Sequence, residues 1–516
     1  MPNVDTSPAV MRGEQWVLTW GPESAPGTAA TNLTNIFGVH QTATLPDPKA
    51  DINTYWMLGN NSYRNYYIAY KGKKAISGSI PDALLLNGVP LYLPIGKKST
   101  TGTTSGTGAS TLSAAHVAGT ITANLISATN YPTNGTGYIQ IGATNEYSFN
   151  IASATIVKGD TYTNNSITFT VTSPSGAAQT QVLCTGSGAP SVNGTLTRAV
   201  GTGASTLAFS SVINNICECR RIVSVLVNAL TLNQPLDFAH MSGTSCKQVT
   251  SPYTHTVIET FQLPTITLHA EMYSADQNLQ LVREYYGGRV GRSTITAREG
   301  EYLTQSFDDL NFTNMAWYAP VTSYVLGTEP LYSAALSTPV TPAYPTAQPY
   351  LFSYGSMTLN GNTFSRIRAF RLDITNNLTP KYYVQSTTNN PQLPFEYREG
   401  QRTYKISTDI DVVDAVLYAE LQRQGTYSSI YRGFITTLTF SRAGVLGTES
   451  ITISTPPAGW DAAGGGNDQG CLIASGNFDI SSQEPIVHTT QDITARSVGI
   501  VVVDYVANLP ETGYDL

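Results

Sequence analysis

A change of periodicity between residues 398 and 425 constrains the fold of this chain more than any other stretch. Over Thr403–Ile410 polar residues alternate with less polar ones. A period of two is what a strand with one buried face requires. Over Val413–Leu421 apolar residues then recur at helical spacing, with Asp411 placed as an N-cap and Gly425 after the end. The sequence predicts a strand followed directly by a capped helix.

The polar part of the chain is built mainly from uncharged side chains. Charged residues make up only 12% of the 516 residues, although a hydrophobic share of 41% is enough for a core. Tyrosine (30 residues) outnumbers phenylalanine (15), and its apolar ring with a hydrogen-bonding tip is favoured at interfaces. Two interpretations remain open: a surface buried against copies of the same chain, or simply a protein rich in β-structure.

Charge and the chain start limit the function classes. A net charge of −7 argues against a protein that binds nucleic acid through a basic surface, but not against a surface that DNA merely passes. The segment Met1–Asp5 lacks the features of a secretory signal, so we expect synthesis in the cytoplasm. The apolar run Val498–Val503 is too short to span a bilayer and predicts a buried strand.

A shift in composition indicates an inserted domain. Between Lys97 and Ser211 the chain is dominated by Gly, Thr, Ser, Ala and Asn, and the phrase Gly-Thr-Gly-Ala-Ser-Thr-Leu occurs at Gly106–Leu112 and again at Gly201–Leu207. Strand patterns such as Ser166–Thr172 lie between the two copies. We predict a small all-β domain at residues 101–211 within a host formed by residues 1–100 and 212–516. The two copies could also pair as strands that close the insert, or match by coincidence.

Two local patterns in the host predict a turn and a helix. Arg298–Glu301 is echoed by Arg398–Gln401, and strand-like sequence flanks both, which predicts two similar β units. In each, Glu-Gly is expected to form either a hairpin turn or a strand-entry turn, with glycine at positive φ. Ile80–Gly88 predicts a short helix with Pro81 at its first position.

Motifs for catalysis are lacking. The sequence contains no P-loop, nucleophile elbow, zinc-protease motif or dinucleotide-binding fingerprint, and its six histidines are scattered. The adjacent Asp308 and Asp309 would point to opposite faces of a strand, and Asp411 has a simpler role as the helix cap. We therefore predict no enzyme, no catalytic residues and no cofactor.

The cysteines and one histidine suggest a single candidate metal site. Cys217 and Cys219, together with His240 and Cys246, provide four soft ligands, but their spacing matches no familiar zinc module. Residues two apart in a strand share a face, so buried thiols are the simpler interpretation, and no metal is predicted.

Four stretches resemble the tail tube proteins, or major tail proteins, of long-tailed bacteriophages. The resemblance covers about residues 60–95 and 255–455. The stretches are Tyr354–Gly361, Phe370–Leu378, Ser77–Leu86, and the strand Tyr404–Asp409 with the helix pattern Asp411–Gly425 after it.

This resemblance implies a fold and an assembly. The expected fold is mainly β: a β-sandwich or barrel tail-tube domain with long hairpins and a flanking α-helix, with the inserted β domain displayed outside. Hairpins would pair between subunits into a closed barrel, and rings of about six copies would stack into a tube for DNA delivery. The implied partners are other copies of the chain, the terminator, tape-measure and distal tail proteins, and viral DNA in transit. The resemblance also implies that no membrane is involved and that the protein is located in the virion tail.

The resemblance also assigns residues. Thr403, Lys405, Ser407 and Asp409 would face the lumen, whereas Tyr404, Ile406, Thr408 and Ile410 would pack inward. Arginines on the candidate barrel hairpins depart from the acidic or neutral lumen usual in this family, because a basic lumen would hold phosphates. We predict that they form salt bridges at contacts between rings or subunits. The predicted cations are Arg292, Arg298, Arg366 and Arg368, and the predicted anions are Asp308, Asp309, Glu299 and Glu399.

Two other functions remain open from the sequence. One is another tail component, such as a distal-tail ring or an adhesin whose insert binds glycan. The other is a β-rich enzyme that acts on polysaccharide. Tubes, isolated rings or trimers, and compact monomers with hydrolytic activity would distinguish the three.

Overall fold

A computed structural model gives the fold of the chain. It describes residues 11–504 apart from residues 24, 31, 32, 34, 56–67, 102–107, 118, 133–136, 143–145, 187–193, 215–217, 234, 237, 238, 251, 275–278, 320–330, 334, 335, 337, 338, 341, 343–347, 360, 361, 365, 366, 384–391, 412–435, 444–447, 456–470 and 480–487.

Strands dominate the described residues, which confirms the mainly β class. The first half contains β1 (Met11–Pro22), β2 (Thr44–Tyr55), β3 (Ile68–Leu84), β4 (Gly96–Thr101), β5 (Ala109–Thr111), β6 (Thr122–Asn124), β7 (Gly137–Ile141), β8 (Glu146–Ile156), β9 (Thr161–Asn164), β10 (Ile167–Val171), β11 (Gly176–Gly186), β12 (Gly194–Val200), β13 (Thr206–Asn214), β14 (Glu218–Leu226), β15 (Ala229–Leu232), β16 (Ser245–Val249) and β17 (Tyr253–Glu259). The second half contains β18 (Ile266–Ser274), β19 (Leu279–Arg298), β20 (Thr304–Phe312), β21 (Asn314–Tyr318), β22 (Leu331–Tyr332), β23 (Gly355–Leu359), β24 (Asn362–Phe364), β25 (Ile367–Thr375), β26 (Thr379–Lys381), β27 (Glu396–Arg398), β28 (Thr403–Asp411), β29 (Thr436–Ala443), β30 (Thr448–Thr455), β31 (Leu472–Asp479), β32 (His488–Ala495) and β33 (Gly499–Asp504). Short 3-10 helices span Val89–Tyr92 and Phe352–Tyr354.

The largest sheet has twelve strands. Its main path runs β2-β3-β20-β19-β25-β28-β32-β31, and the long strand β19 also pairs with β18 and β21, which carry β1 and β22. A seven-stranded sheet runs β24-β23-β29-β30-β33-β17-β4. Leu372 and Ile406 from the first sheet share one continuous hydrophobic core with Phe440 and Ile451 from the second. Two sheets with a common core are the arrangement of a sandwich.

Two further β units lie between β4 and β17. Strands β8 to β13 form a closed barrel in the order β10-β11-β8-β13-β12-β9. A six-stranded sheet, β5-β16-β7-β14-β15-β6, takes strands from both sides of that barrel in the sequence. The barrel core includes Phe149, Tyr162 and Phe169, and the six-stranded sheet has its own core around Ile139 and Leu230.

These units are nested, and each is joined through one antiparallel strand pair. The chain leaves the six-stranded sheet at the end of β7, forms the barrel and returns at the start of β14, where Ile141 is the partner of Glu218. The chain likewise leaves the host sheet at the end of β4 and returns in β17 after the six-stranded sheet and barrel, where Thr101 is the partner of Thr254. Strands β14 to β16 follow the host boundary predicted at residue 212, yet they pair with β5 to β7 of the six-stranded sheet and not with host strands. The boundary itself stays a prediction.

The repeated seven-residue phrase does not close the insert as a strand pair. Its first copy contributes β5, which pairs with β16 of the six-stranded sheet. Its second copy contributes the start of β13, which pairs with β12 and β8 of the barrel. The two copies therefore belong to different units, and their similar sequences pair with different strands.

The short helix predicted over Ile80–Gly88 is wrong. Strand β3 continues to Leu84, and the 3-10 helix follows at Val89–Tyr92 with its proline near the start. The sheet accommodates Pro81 at a shift of register against β20. There the backbone N–H of Asp82, at φ 46°, donates to the Ser306 hydroxyl over 2.9 Å instead of to a ladder carbonyl. Bulges of this kind are where strands tolerate proline.

The two echoed motifs adopt different structures. Arg298–Glu301 forms the turn of the β19–β20 hairpin, and Gly300 has the predicted positive φ of 77°. At Arg398–Gln401 the flanking strands pair elsewhere, β27 with β26 and β28 with β25 and β32, so this motif is not a hairpin turn. It leads into β28, which begins at Thr403, as the strand-entry alternative predicts. Gly400 is not among the positive-φ glycines of the described residues. The helix predicted from Asp411 to Gly425 lies outside the described residues beyond Asp411, which ends β28.

Candidate functional site

The polar face of the twelve-stranded sheet contains most of the residues singled out from the sequence. On β28 the side chains of Tyr404, Ile406 and Thr408 are buried, Thr403 and Lys405 are exposed, and Ser407 and Asp409 are half-buried. The predicted alternation is therefore confirmed for residues 403 to 409. The side chain of Ile410 lies outside the described part. Whether the exposed set lines a lumen stays a prediction.

Strand register extends this face over three central strands. Lys405 on β28 is the partner of Asp373 on β25, and Asp373 is the partner of Thr294 on β19. Directly paired residues in a sheet have neighbouring side chains on the same face. The face thus continues from the predicted lumen residues to the strand that carries Arg292.

A network of ion pairs and hydrogen bonds occupies its centre. Arg371 donates to both carboxylate oxygens of Asp373, from Nε and from Nη2, over 2.9 Å each. Arg292 lies 3.5 Å from Asp373 and 3.8 Å from Asp308. The Thr294 hydroxyl lies 2.7 Å from Asp373 and 3.1 Å from Asp308. Burial acts to raise the pKa of Asp373, but the hydrogen bonds from Arg371 and Thr294 outweigh it, so that pKa is lowered.

The predicted acidic partners separate into two environments. Asp308 is exposed on the polar face beside Arg292. Asp309 is half-buried and lies over the backbone of Gly291, where an added Cβ would come within 2.1 Å of its Oδ2. Burial raises the pKa of Asp309. Glu399 accepts from Arg289 over 2.8 Å and from the backbone N–H of Leu263 over 3.1 Å.

The remaining predicted cations lie at one end of the same strands. Arg298 and Glu299 are exposed at the β19–β20 turn, where the backbone N–H of Glu299 donates to the carbonyl of Arg368 over 2.9 Å. Arg368 itself sits at a register shift between β25 and β28. Arg366 lies outside the described residues. Salt bridges of these residues between rings or subunits stay a prediction.

The outer half of the β2–β3 hairpin is a surface that sequence reasoning missed. Residues 51–55 of β2 are all exposed in succession, so both faces of the strand meet solvent. Its apolar and aromatic side chains are strongly exposed: Ile52 by 70%, Tyr55 by 53%, Ile68 by 52% and Tyr70 by 50%. The rings of Tyr55 and Tyr70 stack with centroids 5.5 Å apart, and their hydroxyls are hydrogen-bonded over 2.9 Å. The signal for this surface was the apolar residues placed between lysines and aspartates on β2 and β3.

A buried cluster of charged and polar side chains lies in the six-stranded sheet unit. Glu218 lies between Arg220 at 3.1 Å and His240 at 2.7 Å, all inside the six-stranded sheet unit. Cys219 and Cys246 are buried thiols, and burial strongly raises the pKa of Cys246. Within the described ranges no group of three or more His, Cys, Asp or Glu side chains is arranged to hold a metal ion. Cys217 falls outside those ranges.

Comparisons with known proteins leave the family unassigned. No protein-family model matches the chain, and no curated protein matches it. Among the helices in the described part of the chain, none has the length and apolar character needed to cross a bilayer.

Proposed function

We propose that this protein is a structural subunit that assembles with copies of itself into stacked rings, forming the tube of a bacteriophage tail. The observation that supports this most directly is the exposed outer half of the β2–β3 hairpin, with four apolar or aromatic side chains at least half exposed. The ring symmetry expected from the resemblance is sixfold, and the channel of the tube would carry viral DNA.

The hairpin has the properties of an assembly arm. Burying one isoleucine side chain contributes roughly 1.5–3 kcal/mol, so leaving Ile52 and Ile68 in water sacrifices stabilisation that a neighbour could supply. Tyr55 and Tyr70 add the amphipathic rings that are enriched at protein interfaces. The occupant we infer is a second copy of the chain, because the hairpin also presents a strand edge that has no partner strand within the described part of the chain.

Open sheet edges support the same occupant. Strands β2 and β31 end the main path of the twelve-stranded sheet, so among the described residues each has one edge without a partner strand. Exposed edges template pairing with another strand, and natural proteins usually cover or close them. Pairing β2 of one copy with β31 of the next would extend the sheet from subunit to subunit and close it as a ring.

The polar face then has a defined place. In a ring closed through these edges, one face of the joined sheet turns toward the axis and the other packs on the core. Tyr404, Ile406 and Leu372 already lie on the core side. The opposite face, with Lys405 and Asp373, is left to line the channel.

Electron microscopy and sedimentation velocity of the purified full-length protein test this proposal. The wild type should form rings or tubes. Ile52→Asp should remain monomeric with an unchanged thermal midpoint, because the side chain is exposed in the monomer. The matched control is Val200→Asp, which places the same charge at an equally exposed apolar residue (69%) of the barrel and should leave assembly intact. A wild type that stays monomeric, or equal assembly of the wild type and Ile52→Asp, would contradict the proposal.

A further inference from the structure

The arginines of the polar face form ion pairs with carboxylates of their own chain. Arg292 and Arg371 are each 46% exposed at the side chain, whereas Asp373 is 19% exposed. Asp373 binds Arg371 through two bonds and also lies 3.5 Å from Arg292, so one carboxylate serves two guanidinium groups. The exposed cations are thus held from beneath by less exposed anions.

Two further contacts fix these carboxylates in position. The Thr294 hydroxyl lies between Asp308 and Asp373, within 3.1 Å of each. A single hydroxyl hydrogen donates to one acceptor at a time, so Thr294 holds one of the two carboxylates at any moment and leaves both charged. Lys405 is the register partner of Asp373 on the next strand, so a third cationic residue neighbours this pair of arginines on the same face.

We propose that Asp308 and Asp373 act as built-in competitors of phosphate, which occupy Arg292 and Arg371 and so prevent the polar face from retaining DNA. This inference rests on the proposed function, in which that face lines a channel. It concerns a property of the chain that can be measured separately from assembly.

The chemistry of the guanidinium group supports the competition. Carboxylate and phosphate both match its planar fork and are bound through the same pair of N–H donors. A guanidinium whose donors already bind Asp373 has fewer to offer a passing phosphate. Because each phosphate contact releases condensed counterions, arginines without carboxylates would give binding that depends strongly on salt and would slow a moving DNA chain.

The pairing is intramolecular, which makes it independent of ring formation. Arg292, Asp308 and Asp373 lie on the adjacent strands β19, β20 and β25 of one chain. Each subunit therefore carries its own paired arginines into a ring. Repetition around a ring would otherwise multiply the exposed arginines by the number of subunits.

The test compares the wild type with Asp308→Asn/Asp373→Asn in binding to a fluorescently labelled duplex DNA, measured by anisotropy over a range of salt concentrations. Asparagine keeps the shape and an oxygen acceptor for Thr294 but removes the charge. We expect the double variant to bind roughly tenfold more tightly than the wild type at low salt, and to lose about tenfold between about 50 and 200 mM salt, the dependence for about two phosphate contacts.

Two further variants make the result specific. Glu396→Gln removes one carboxylate from an exposed pair with Arg398 outside this face, and should leave DNA binding as weak as in the wild type. Adding Arg371→Gln to the double variant should remove about half of its salt dependence. If the double variant fails to fold by circular dichroism, the more exposed Asp308→Asn alone should still bind DNA more tightly than Glu396→Gln.

The outcomes separate this inference from the proposed function. Double-variant binding no tighter than that of Glu396→Gln, or wild-type binding as tight as that of the double variant, would overturn the inference, even where microscopy shows tubes. Tighter binding by the double variant supports it, even where no tubes form.

Discussion

Arg402 donates from Nε to the side-chain oxygen of Asn376 over 2.6 Å and so fixes an amide that ties three segments of the host together. The Asn376 side chain is buried and donates to the carbonyls of Pro94 and Val290 over 2.9 Å each. Arg402 also reaches the carbonyl of Thr260. These contacts connect the end of β25 with β19, with the segment before β4 and with the start of β28.

Replacing Asn376 with alanine should therefore destabilise the fold. The variant loses three hydrogen bonds in a buried site and leaves carbonyl groups without donors, which costs about 3 kcal/mol. Chemical denaturation with urea measures the change in the free energy of unfolding. Asn377→Gly is the matched control, since Asn377 is exposed at φ 48° and glycine adopts that conformation readily, so it should change the same free energy by less than about 1 kcal/mol. Equal losses in both variants would contradict this role.

The two glycines of the echoed motifs should differ in how much their substitution costs. Gly300 is at φ 77° with nothing within 4 Å of an added Cβ, and asparagine tolerates that conformation. Gly300→Asn should therefore cost less than about 1 kcal/mol. At Gly400 an added Cβ would lie 2.7 Å from the carbonyl oxygen of Asn377, so Gly400→Ala should cost about 1–3 kcal/mol. Urea midpoints of the two variants in parallel check this, and the reverse order would show that the turn assignment is wrong.

His269 should make stability depend on pH. Its imidazole lies between Glu271 at 2.9 Å and Glu284 at 3.2 Å. Burial acts to lower the pKa of His269, but the hydrogen bonds with both carboxylates outweigh it, so that pKa is raised above about 6.5, the ordinary value of histidine. A raised pKa contributes stability that is fully present below pH 6.5 and is lost as pH rises through the folded-state value.

Thermal unfolding between about pH 6 and 9 measures this contribution. The wild type should lose stability toward high pH, while His269→Gln, whose amide does not titrate, should start lower and show a flatter profile. Parallel profiles for the two proteins would exclude the imidazole as the source. On the acid side, Glu271 has a lowered pKa, since the hydrogen bonds from His269 and Tyr273 outweigh burial. Its contribution should be lost as pH falls below about 4.5.

Removal of both nested units should leave the host intact. Thr101 and Thr254 are partners in an antiparallel pair, so replacing residues 102–253 with Asn-Gly, the loop favoured in two-residue hairpins, joins β4 to β17 directly. We expect the shortened chain to unfold cooperatively and to assemble as the full chain does, as judged by calorimetry and electron microscopy. A shortened chain that folds but does not assemble would show that the insert takes part in ring formation.

The sequence predicted those parts of the fold that local patterns encode. The alternation along β28 was readable because one face is buried and the other is polar, and the β19–β20 turn was readable because Gly300 needs a positive φ. Pro81 misled because the bulge that accommodates it depends on Ser306, more than two hundred residues away. The positive φ predicted for Gly400 was wrong for a related reason. Its glycine is required by the close approach of the Asn377 carbonyl oxygen, which belongs to another segment of the chain.

Several charged residues of the candidate site could be predicted from the sequence, but the ion pairs that they form could not. The charged residues of β19 and β20 were visible in the sequence, but Asp373 and Arg371, which complete the ion network, carried no local signal of pairing with Arg292. Register over three strands decides which charges meet, and register follows from pairing between distant segments. The hairpin surface around Ile52 and Tyr70 was missed because exposure cannot be read from residue type alone.

The nested insertion also sets the order in which the protein is made. Strand β3 pairs with β20 about 230 residues later, which takes on the order of 10–45 s of synthesis at ~5–20 residues per second. During that interval the barrel and the six-stranded sheet emerge complete, while the β2–β3 hairpin has already formed beside an absent partner. A nascent chain therefore presents the exposed outer half of the β2–β3 hairpin before β20 has been made. Neighbouring ribosomes on one message would hold many such hairpins close together, so exposed apolar hairpins could meet before the sheets of their own chains are complete.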